Sequence, residues 1–454
     1  MSRPDGRGAS SRGAAIGAAL VVAGAALAIV ALLLLVGVAV LDPSRIPADA
    51  DSPALRVGVG LMLAFLAVLV VRYVLLLWLG YLHHIESHGG AEAPGAGPQP
   101  PVTIIVPAYN EAAVIVAALR SLIALDYPAV DVIVVDDGST DGTAGLASTL
   151  EGRHGGATVR VVRKANGGKA SALNTGIALA RTPYVLCMDG DARLTRDTLR
   201  HAMRHFADPR VGAVAGNVKV VNRGTLWTRL QALEYIEGLN LPRRAQGFMR
   251  AVNIVPGPIG VFRRDVLAAV GGYDADTYAE DADLTLKVLT AGWHVVYEPR
   301  AIAWTEAPES LLDLIKQRYR WTRGILQALR KRSAWLLSPK GGVVVWGSLL
   351  AMLFEAVVWP AVNVLGNLFV AVVALSAGAP SELLAWWALL TMLDTAAALY
   401  TVAMEGEALA LVPYAVVYRF FFITVIDVAK LFATAEQLAN ARMSWGKLER
   451  VGRI

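Results

Sequence analysis

A single cysteine, Cys187, stands among 454 residues. That excludes an internal disulfide and a cysteine-built zinc site. Cys187 lies inside an apolar run, so it reads as a small core residue. Charge is also scarce: 17% of residues are Asp, Glu, Lys or Arg, against 55% hydrophobic. Soluble domains carry about 25% charged and about 45–50% apolar residues, with Gly counted among the apolar. The balance here, with a mean hydropathy of +0.49, excludes an ordinary soluble protein. There is no internal repeat, and no compositionally biased tract beyond a Gly-, Pro- and Ala-rich stretch at Gly89–Pro101. The net charge of +5 does not point to nucleic acid. Part of the surplus sits beside apolar segments, at Arg3, Arg7 and Arg12 and at Arg442, Lys447, Arg450 and Arg453. Attraction to anionic headgroups and the bias of cationic residues toward the cytoplasmic side account for it.

What the chain does have is long hydrophobic runs. Ala14–Leu41 and Leu55–Leu82 are each long enough to span a bilayer. The first is too long for the apolar core of a signal peptide, so an uncleaved anchor is expected. Arginines before it and the acidic link Asp42–Asp51 put the N-terminus in the cytoplasm. Two crossings then return the chain to that side. Three more apolar runs follow at Val343–Leu375, Leu383–Met404 and Leu409–Phe432. Arg56 and Arg72 fall inside the second apolar run and are expected to snorkel or to face a neighbouring helix, whereas Asp394, Arg419 and Asp427 in the last two runs are expected to pair or to face a wet cavity. Three C-terminal crossings would leave the basic tail outside. Either Val343–Leu375 forms two crossings or a re-entrant piece, or one segment is interfacial. The expected organisation is a membrane region over 1–88, a linker over 89–101, a globular domain over 102–335, a second membrane region over 336–435, and a basic tail over 436–454.

Between the membrane regions, apolar runs at Val102–Val106, Val132–Val135, Val159–Val162 and Tyr184–Met188 alternate with helical patterns. The alternation predicts an α/β domain with a mostly parallel sheet. Ligands of such sheets bind at the carboxyl ends of the strands. Three of the four runs end in polar clusters there. Asp189-Gly190-Asp191 closes the last run, and two carboxylates spaced one apart can share a divalent cation with the diphosphate it neutralises. Oxygen ligands of this kind suit Mg²⁺ or Mn²⁺. Asp136-Asp137-Gly138 closes the second run. One of its acids can accept from uracil N3–H or from ribose hydroxyls, while Asp141 can cap the next helix. Pro107-Ala108-Tyr109-Asn110-Glu111 closes the first run; Tyr109 can stack on a base, or the segment is simply a turn.

Three further segments carry charge. Lys164-Ala165-Asn166-Gly167-Gly168-Lys169 opens a helix, where backbone amides attract anions. Glu280 and Asp281 precede a helical pattern. A carboxylate there can deprotonate an acceptor hydroxyl, or it can answer the helix dipole. Gln317-Arg318-Tyr319-Arg320-Trp321 sets two guanidiniums near an indole, able to hold a diphosphate and to stack on a sugar. In isolation it also fits a basic helix at a membrane surface.

In this order the motifs resemble the membrane-bound processive glycosyltransferases of family 2, over roughly Val102 to Arg332. Relatives include the hyaluronan, chitin and cellulose synthases. The Asp-Gly-Asp-Ala form and Gly216-Asn217 are most similar to poly-β-1,6-N-acetylglucosamine synthases. The resemblance implies a GT-A core in which Ala108, Tyr109, Glu111, Asp136 and Asp137 hold uridine and Lys169 approaches the nucleotide. It implies metal binding by Asp189 and Asp191. It implies a base at Asp281 beside Glu280, in a motif whose usual threonine is Ala279 here. Gln317, Arg320 and Trp321 match the Gln-x-x-Arg-Trp signature, with Arg318 beside them, on the acceptor and diphosphate side. The loop Val255-Pro256-Gly257-Pro258-Ile259-Gly260 departs from relatives by an extra proline, which leaves the acceptor open. The implied activity is inverting, processive polymerisation of a UDP-sugar, best matched by UDP-N-acetylglucosamine. It would occur at the cytoplasmic face of the cell membrane, with outward passage of the polymer and accessory export subunits as possible partners. A non-processive transferase acting on a lipid-linked acceptor is the alternative.

Overall fold

The computed structural model describes residues 53–89, 99–339, 341–376 and 380–441. The expected first span, Ala14–Leu41, lies outside the described residues, as do most of the linker and the tail from 442. A long helix, α1 (Pro53–Gly89), leads to the α/β domain. Strands β1 (Val102–Ala108) and β2 (Val130–Asp136) flank helix α2 (Ile115–Ile123). Then come β3 (Gly152–His154), β4 (Ala157–Arg163), helix α3 (Lys169–Leu179), β5 (Tyr184–Cys187), β6 (Ala192–Leu194) and β7 (Val211–Val220).

Next are helices α4 (Leu226–Glu234) and α5 (Leu241–Phe248), β8 (Gly260–Arg263), α6 (Glu280–Thr290), β9 (His294–Thr305) and α7 (Leu311–Lys331). The nine strands form one sheet in the order β3-β4-β2-β1-β5-β8-β7-β9-β6. Pairings β1–β2, β2–β4 and β1–β5 are parallel. The far half is mixed: β5–β8, β7–β8 and β6–β9 are antiparallel, and β7–β9 is parallel.

The sequence explains this division. Every residue of β1 and of β7 is buried. Central strands covered on both faces read as continuous apolar runs rather than alternating ones. The chain leaves β1 toward β2 and β4, then returns to β5 on the other side of β1. That reversal opens a crevice at the carboxyl ends, where Ala108, Asp136 and Asp189 emerge from adjacent strands. The four apolar runs expected as strands fall in β1, β2, β4 and β5.

Four helical stretches among the described residues are long and apolar enough to cross a membrane: Ala64–Ser87, Val343–Val372, Trp386–Met404 and Leu409–Leu438. The ambiguous C-terminal run is therefore one such stretch. It comprises α8 (Val343–Leu353), a π-helical turn Phe354–Val358, and α9 (Trp359–Ser376). Helix α10 (Pro380–Met404) follows, then a broken helix with a second π-turn at Tyr418–Phe422 that ends in α11 (Ile423–Leu438). The intramembrane charges are paired. Arg72 meets Glu355 at 2.6 Å, Arg419 forks onto Asp394, and Asn363 donates to Asp427 at 2.7 Å. Such pairing is what the cost of isolated charge in an apolar medium demands.

Candidate active site

A cavity of about 450 Å³ lies below the carboxyl ends of the sheet, closed on its far side by α7. Its wall brings together Lys169, Asp189, Asp191, Glu280, Asp281, Gln317, Arg320 and Trp321. These come from four motifs that are up to about 150 positions apart in the chain. Lys169, the first residue of α3, places its ammonium 2.7 Å from Asp189 Oδ1 and 2.7 Å from Glu280 Oε1. Burial alone would lower its pKa. The carboxylates of Asp189, Glu280 and Asp281 outweigh burial and hold it well above the usual lysine value. Asp281 is shifted the other way for an acid. Burial and the neighbouring Glu280 carboxylate push it up to about 6, against the opposing pull of Lys169. A carboxylate tuned toward neutrality inside a cleft is a candidate proton acceptor.

Two glycines make this geometry possible. The Asp189 amide donates to the Gly257 carbonyl at 3.1 Å. A Cβ on Gly257 would stand 2.7 Å from Asp189 Oδ2 and 3.1 Å from Lys169 Nζ. The prolines on either side, Pro256 and Pro258, also line the cavity. Gly324 lets α7 touch the segment that delivers Glu280 and Asp281; a Cβ there would lie 2.4 Å from the Ala279 nitrogen. Gln327 secures the same contact by accepting from the Tyr278 amide at 3.0 Å. Ala279, in place of the expected threonine, adds no bulk at this tight crossing.

The remaining expected residues lie elsewhere. Ala108, Tyr109, Glu111, Asp136 and Asp137 sit at the ends of β1 and β2, outside the wall of this cavity. Tyr109 is exposed and Asp136 is buried. Asp136 Oδ2 accepts from the Ser139 amide, and Oδ1 has no hydrogen-bond partner among the described residues. Asp137 is fully engaged. It accepts from Lys164 Nζ at 2.5 Å, from the Gly167 amide at 3.0 Å and from the Gly168 amide at 2.7 Å. The anion seat at the start of α3 is thus filled by the protein's own carboxylate. Lys169 is the loop's charged contribution to the cavity, beside Gly167 and Gly168.

Arg318 departs furthest from expectation, because it turns away from the cavity wall. It forks onto Glu234 in a buried ion pair, donates to Gln317 Oε1 at 2.5 Å, and lies 4.2 Å from the Trp321 ring centre. It braces Trp321 from behind.

A second cavity, about 270 Å³, adjoins the first and shares Leu239, Arg243, Ile254, Trp321 and Ile325 with it. It continues among the apolar helices, past Arg72, Tyr73, Glu355 and Asp427. Three π-helical turns contribute to its wall: Tyr235–Asn240, Phe354–Val358 and Tyr418–Phe422. Such turns recur at functional sites, since they splay side chains out of helical register. Sequence reasoning missed Arg243, Glu234 and Gly324, and it singled out Gly257 only as part of the Val255–Gly260 loop on the acceptor side. The cluster Asp274, Asp276 and Asp283 looks suited to a cation, but the Lys331 ammonium sits among all three acids at 2.6–3.0 Å.

The cavity at the strand-order reversal thus gathers an acidic pair and a tuned acid on one wall. The chain belongs to glycosyltransferase like family 2, whose pattern matches residues 98–324. It is 34% identical over 224 residues to the poly-beta-1,6-N-acetyl-D-glucosamine synthase of Staphylococcus aureus strain COL, covering 49% of this chain and 54% of that protein. The synthase of the same name from Staphylococcus epidermidis is 33% identical over the same shares. The chain therefore matches about half the length of these curated relatives. A mannosyltransferase from Pyrobaculum calidifontis, solved with GDP-Man and Mn²⁺, superposes with a TM-score of 0.54 at 24% identity, over 84% of this chain and 99% of that one. That likeness establishes the GT-A-type α/β fold.

Proposed function

We propose that the protein is an inverting, processive transferase that polymerises a UDP-sugar, UDP-N-acetylglucosamine first among candidates, into a β-linked polysaccharide. The observation that carries this reading is a cavity that holds the acidic pair, the tuned acid and the Gln-x-x-Arg-Trp residues, and that adjoins a second cavity among the apolar helices. The uridine would lie over the ends of β1 and β2, among Ala108, Tyr109, Glu111 and the buried Asp136. Asp137 would act through the Gly167-Gly168 loop it organises.

Asp281 takes the proton of the acceptor hydroxyl. The oxygen attacks the anomeric carbon from the face opposite UDP, the carbon–phosphate-oxygen bond breaks, and UDP leaves as an anion. Lys169 and Arg320 meet that charge, an electrostatic contribution of the kind that dominates many such steps. Glu280 holds Lys169 in place through their 2.7 Å ion pair. Asp189 and Asp191 fit a hard divalent cation: both are carboxylates on one cavity wall, and the bare Gly257 leaves Asp189 room. When bound there, Mg²⁺ or Mn²⁺ supplies positive charge against the diphosphate. Trp321 offers a flat face to the acceptor sugar. The second cavity offers the elongating chain a route from the cytoplasmic face toward the other side, in a cell membrane where accessory subunits would assist export.

UDP release by detergent-solubilised protein with Mn²⁺ tests the donor. UDP-N-acetylglucosamine, UDP-glucose, UDP-glucuronate and UDP-galactose would be offered separately. Release with the first alone, giving long polymer, is expected. Release that appears only when a lipid-linked acceptor is added, with a product one sugar longer, would replace the processive reading by a non-processive one.

A further inference from the structure

At the junction of the two cavities stands Arg243, which no motif announces. It lines both. Among the described residues it forms no ion pair, whereas Arg318, Arg72 and Lys430 along the second cavity each face a carboxylate. Burial, set against only distant negative charge, lowers its pKa. Such a guanidinium is under-compensated and has donors to offer.

Its orientation is fixed by a relay. Arg243 Nη1 donates to Asn240 Oδ1 at 3.2 Å, Asn240 Nδ2 donates to Asn217 Oδ1 at 2.7 Å, and Asn217 Nδ2 donates to Glu405 Oε2 at 2.7 Å. Both asparagines are 1% exposed. A carboxylate can only accept, so the direction of the whole chain is set from Glu405. Asn217 must turn its amino group to Glu405, Asn240 must do likewise to Asn217, and only a carbonyl is left to face Arg243. Glu405 is itself clamped by Arg244 at 2.7 Å, in the turn after Met404 that joins two membrane-crossing candidates. One of the five guanidinium N–H groups is used by Asn240. The others have no protein partner among the described residues and open to the cavities.

We propose that Arg243 binds the acceptor chain, donating to a hydroxyl or amide oxygen of the neutral sugar that occupies the junction, against the Trp321 ring. This rests on the acceptor side of the reading above. A phosphate fits the place less well, because among the described residues the cations along the second cavity are paired, and the reading above assigns Lys169 and Arg320 to the diphosphate in the first cavity. The relay makes the site part of the membrane assembly, since its anchor belongs to the turn between two membrane-crossing helices.

The test is equilibrium binding to the full-length, detergent-solubilised protein of three probes: a labelled β-1,6-linked N-acetylglucosamine pentamer, UDP with Mn²⁺, and a polyprenyl phosphate. Arg243→Gln should weaken pentamer binding by about tenfold to a hundredfold, the loss typical of a hydrogen bond from a charged group. UDP binding should stay within about twofold. Arg243→Lys, which keeps the charge but loses the fork, should fall between and guards against a folding defect in the first variant. Unchanged pentamer binding in both variants, equal loss of pentamer and UDP, or absence of pentamer binding in the unmodified protein would each overturn the proposal. So would a selective loss of binding to a polyprenyl phosphate. If the pentamer result holds while no UDP-sugar yields UDP, the donor reading fails and the acceptor assignment stands.

Discussion

The two halves of the site are built differently. On the nucleotide side, chemistry comes from strand ends and the short loops that follow them: Asp136 at the end of β2 and Asp137 just after it, Lys169 at the start of α3, Asp189 and Asp191 after β5. Each position is decided locally, by where an apolar run stops. On the membrane side, the residues that matter are fixed by distant partners. Arg318 depends on Glu234, 84 positions away, and Asn217 depends on Glu405, 188 positions away. The first half is a set of ligands on a rigid edge. The second is a buried polar framework that holds two cavities in register. Substitutions on the first side should therefore cost turnover and leave the fold intact, whereas those on the second should cost the fold itself.

The largest expected effect tests the first half. Asp281→Asn keeps the shape and removes the proton acceptor. Turnover should fall by about 10³-fold or more, within the range general-base removal gives, while UDP binding and the apparent melting temperature hold. Near-normal turnover would show that another group takes the proton. Arg318→Met tests the second half. It strands the Glu234 carboxylate in a buried setting, and breaking such a pair costs roughly 3–5 kcal/mol. The expected readout is a clear drop in melting temperature in detergent, partly restored by adding Glu234→Gln. An unchanged melting temperature would mean the pair carries no structural weight, and the contrast between the halves would weaken.

The same contrast explains what the sequence could disclose. The α/β alternation, the strands β1, β2, β4 and β5, and the motif residues that line the first cavity were legible, because each belongs to a short run with a distinctive ending. The role of Asp137 was not. Nothing local says that its oxygens would meet the Gly167 and Gly168 amides about 30 positions later. Arg318 misled for a related reason. It sits two positions before Arg320 in one motif, yet helical positions two apart point about 200° apart, following 3.6 residues per turn, so Arg320 reaches the wall of the first cavity and Arg318 does not. Arg243 and the asparagine relay left no trace in periodicity, since buried amides satisfy one another only once the chain is folded. The tolerance of Gly257 and Gly324 for close approach is likewise a property of neighbours.

Gly257→Ala probes a position where the first half depends on a loop rather than a strand end. The new methyl would stand 2.7 Å from Asp189 Oδ2, against the Lys169 ammonium as well. The carboxylate has to move, and displacement of about 1 Å in a reacting group can cost roughly a hundredfold in rate. The loop stays packed, so the melting temperature should shift little. Mn²⁺ binding to the UDP-loaded protein, followed by electron paramagnetic resonance, should weaken in parallel with turnover. If turnover falls while Mn²⁺ binding holds, Gly257 serves acceptor access rather than Asp189.

The smallest effect is the pH dependence, and it separates the tuned acid from its neighbours. Asp281 is effective only as the carboxylate, and its pKa of about 6 lies above the ordinary aspartate value because burial and Glu280 disfavour the charge. The sign follows: kcat/KM for the acceptor, which reports the free enzyme, should be flat above about pH 7 and fall below about pH 6, approaching tenfold for each further unit. Glu280→Gln removes the like charge that raises Asp281, and also one of the carboxylates that restrain Lys169. Both changes ease ionisation of Asp281, the first by ending a repulsion and the second by freeing the ammonium to approach. The acid limb should therefore move to lower pH in that variant even as its plateau drops. A limb that stays in place would mean that burial, rather than the Glu280 carboxylate, sets the tuning, and that Glu280 acts on the reaction through Lys169 alone.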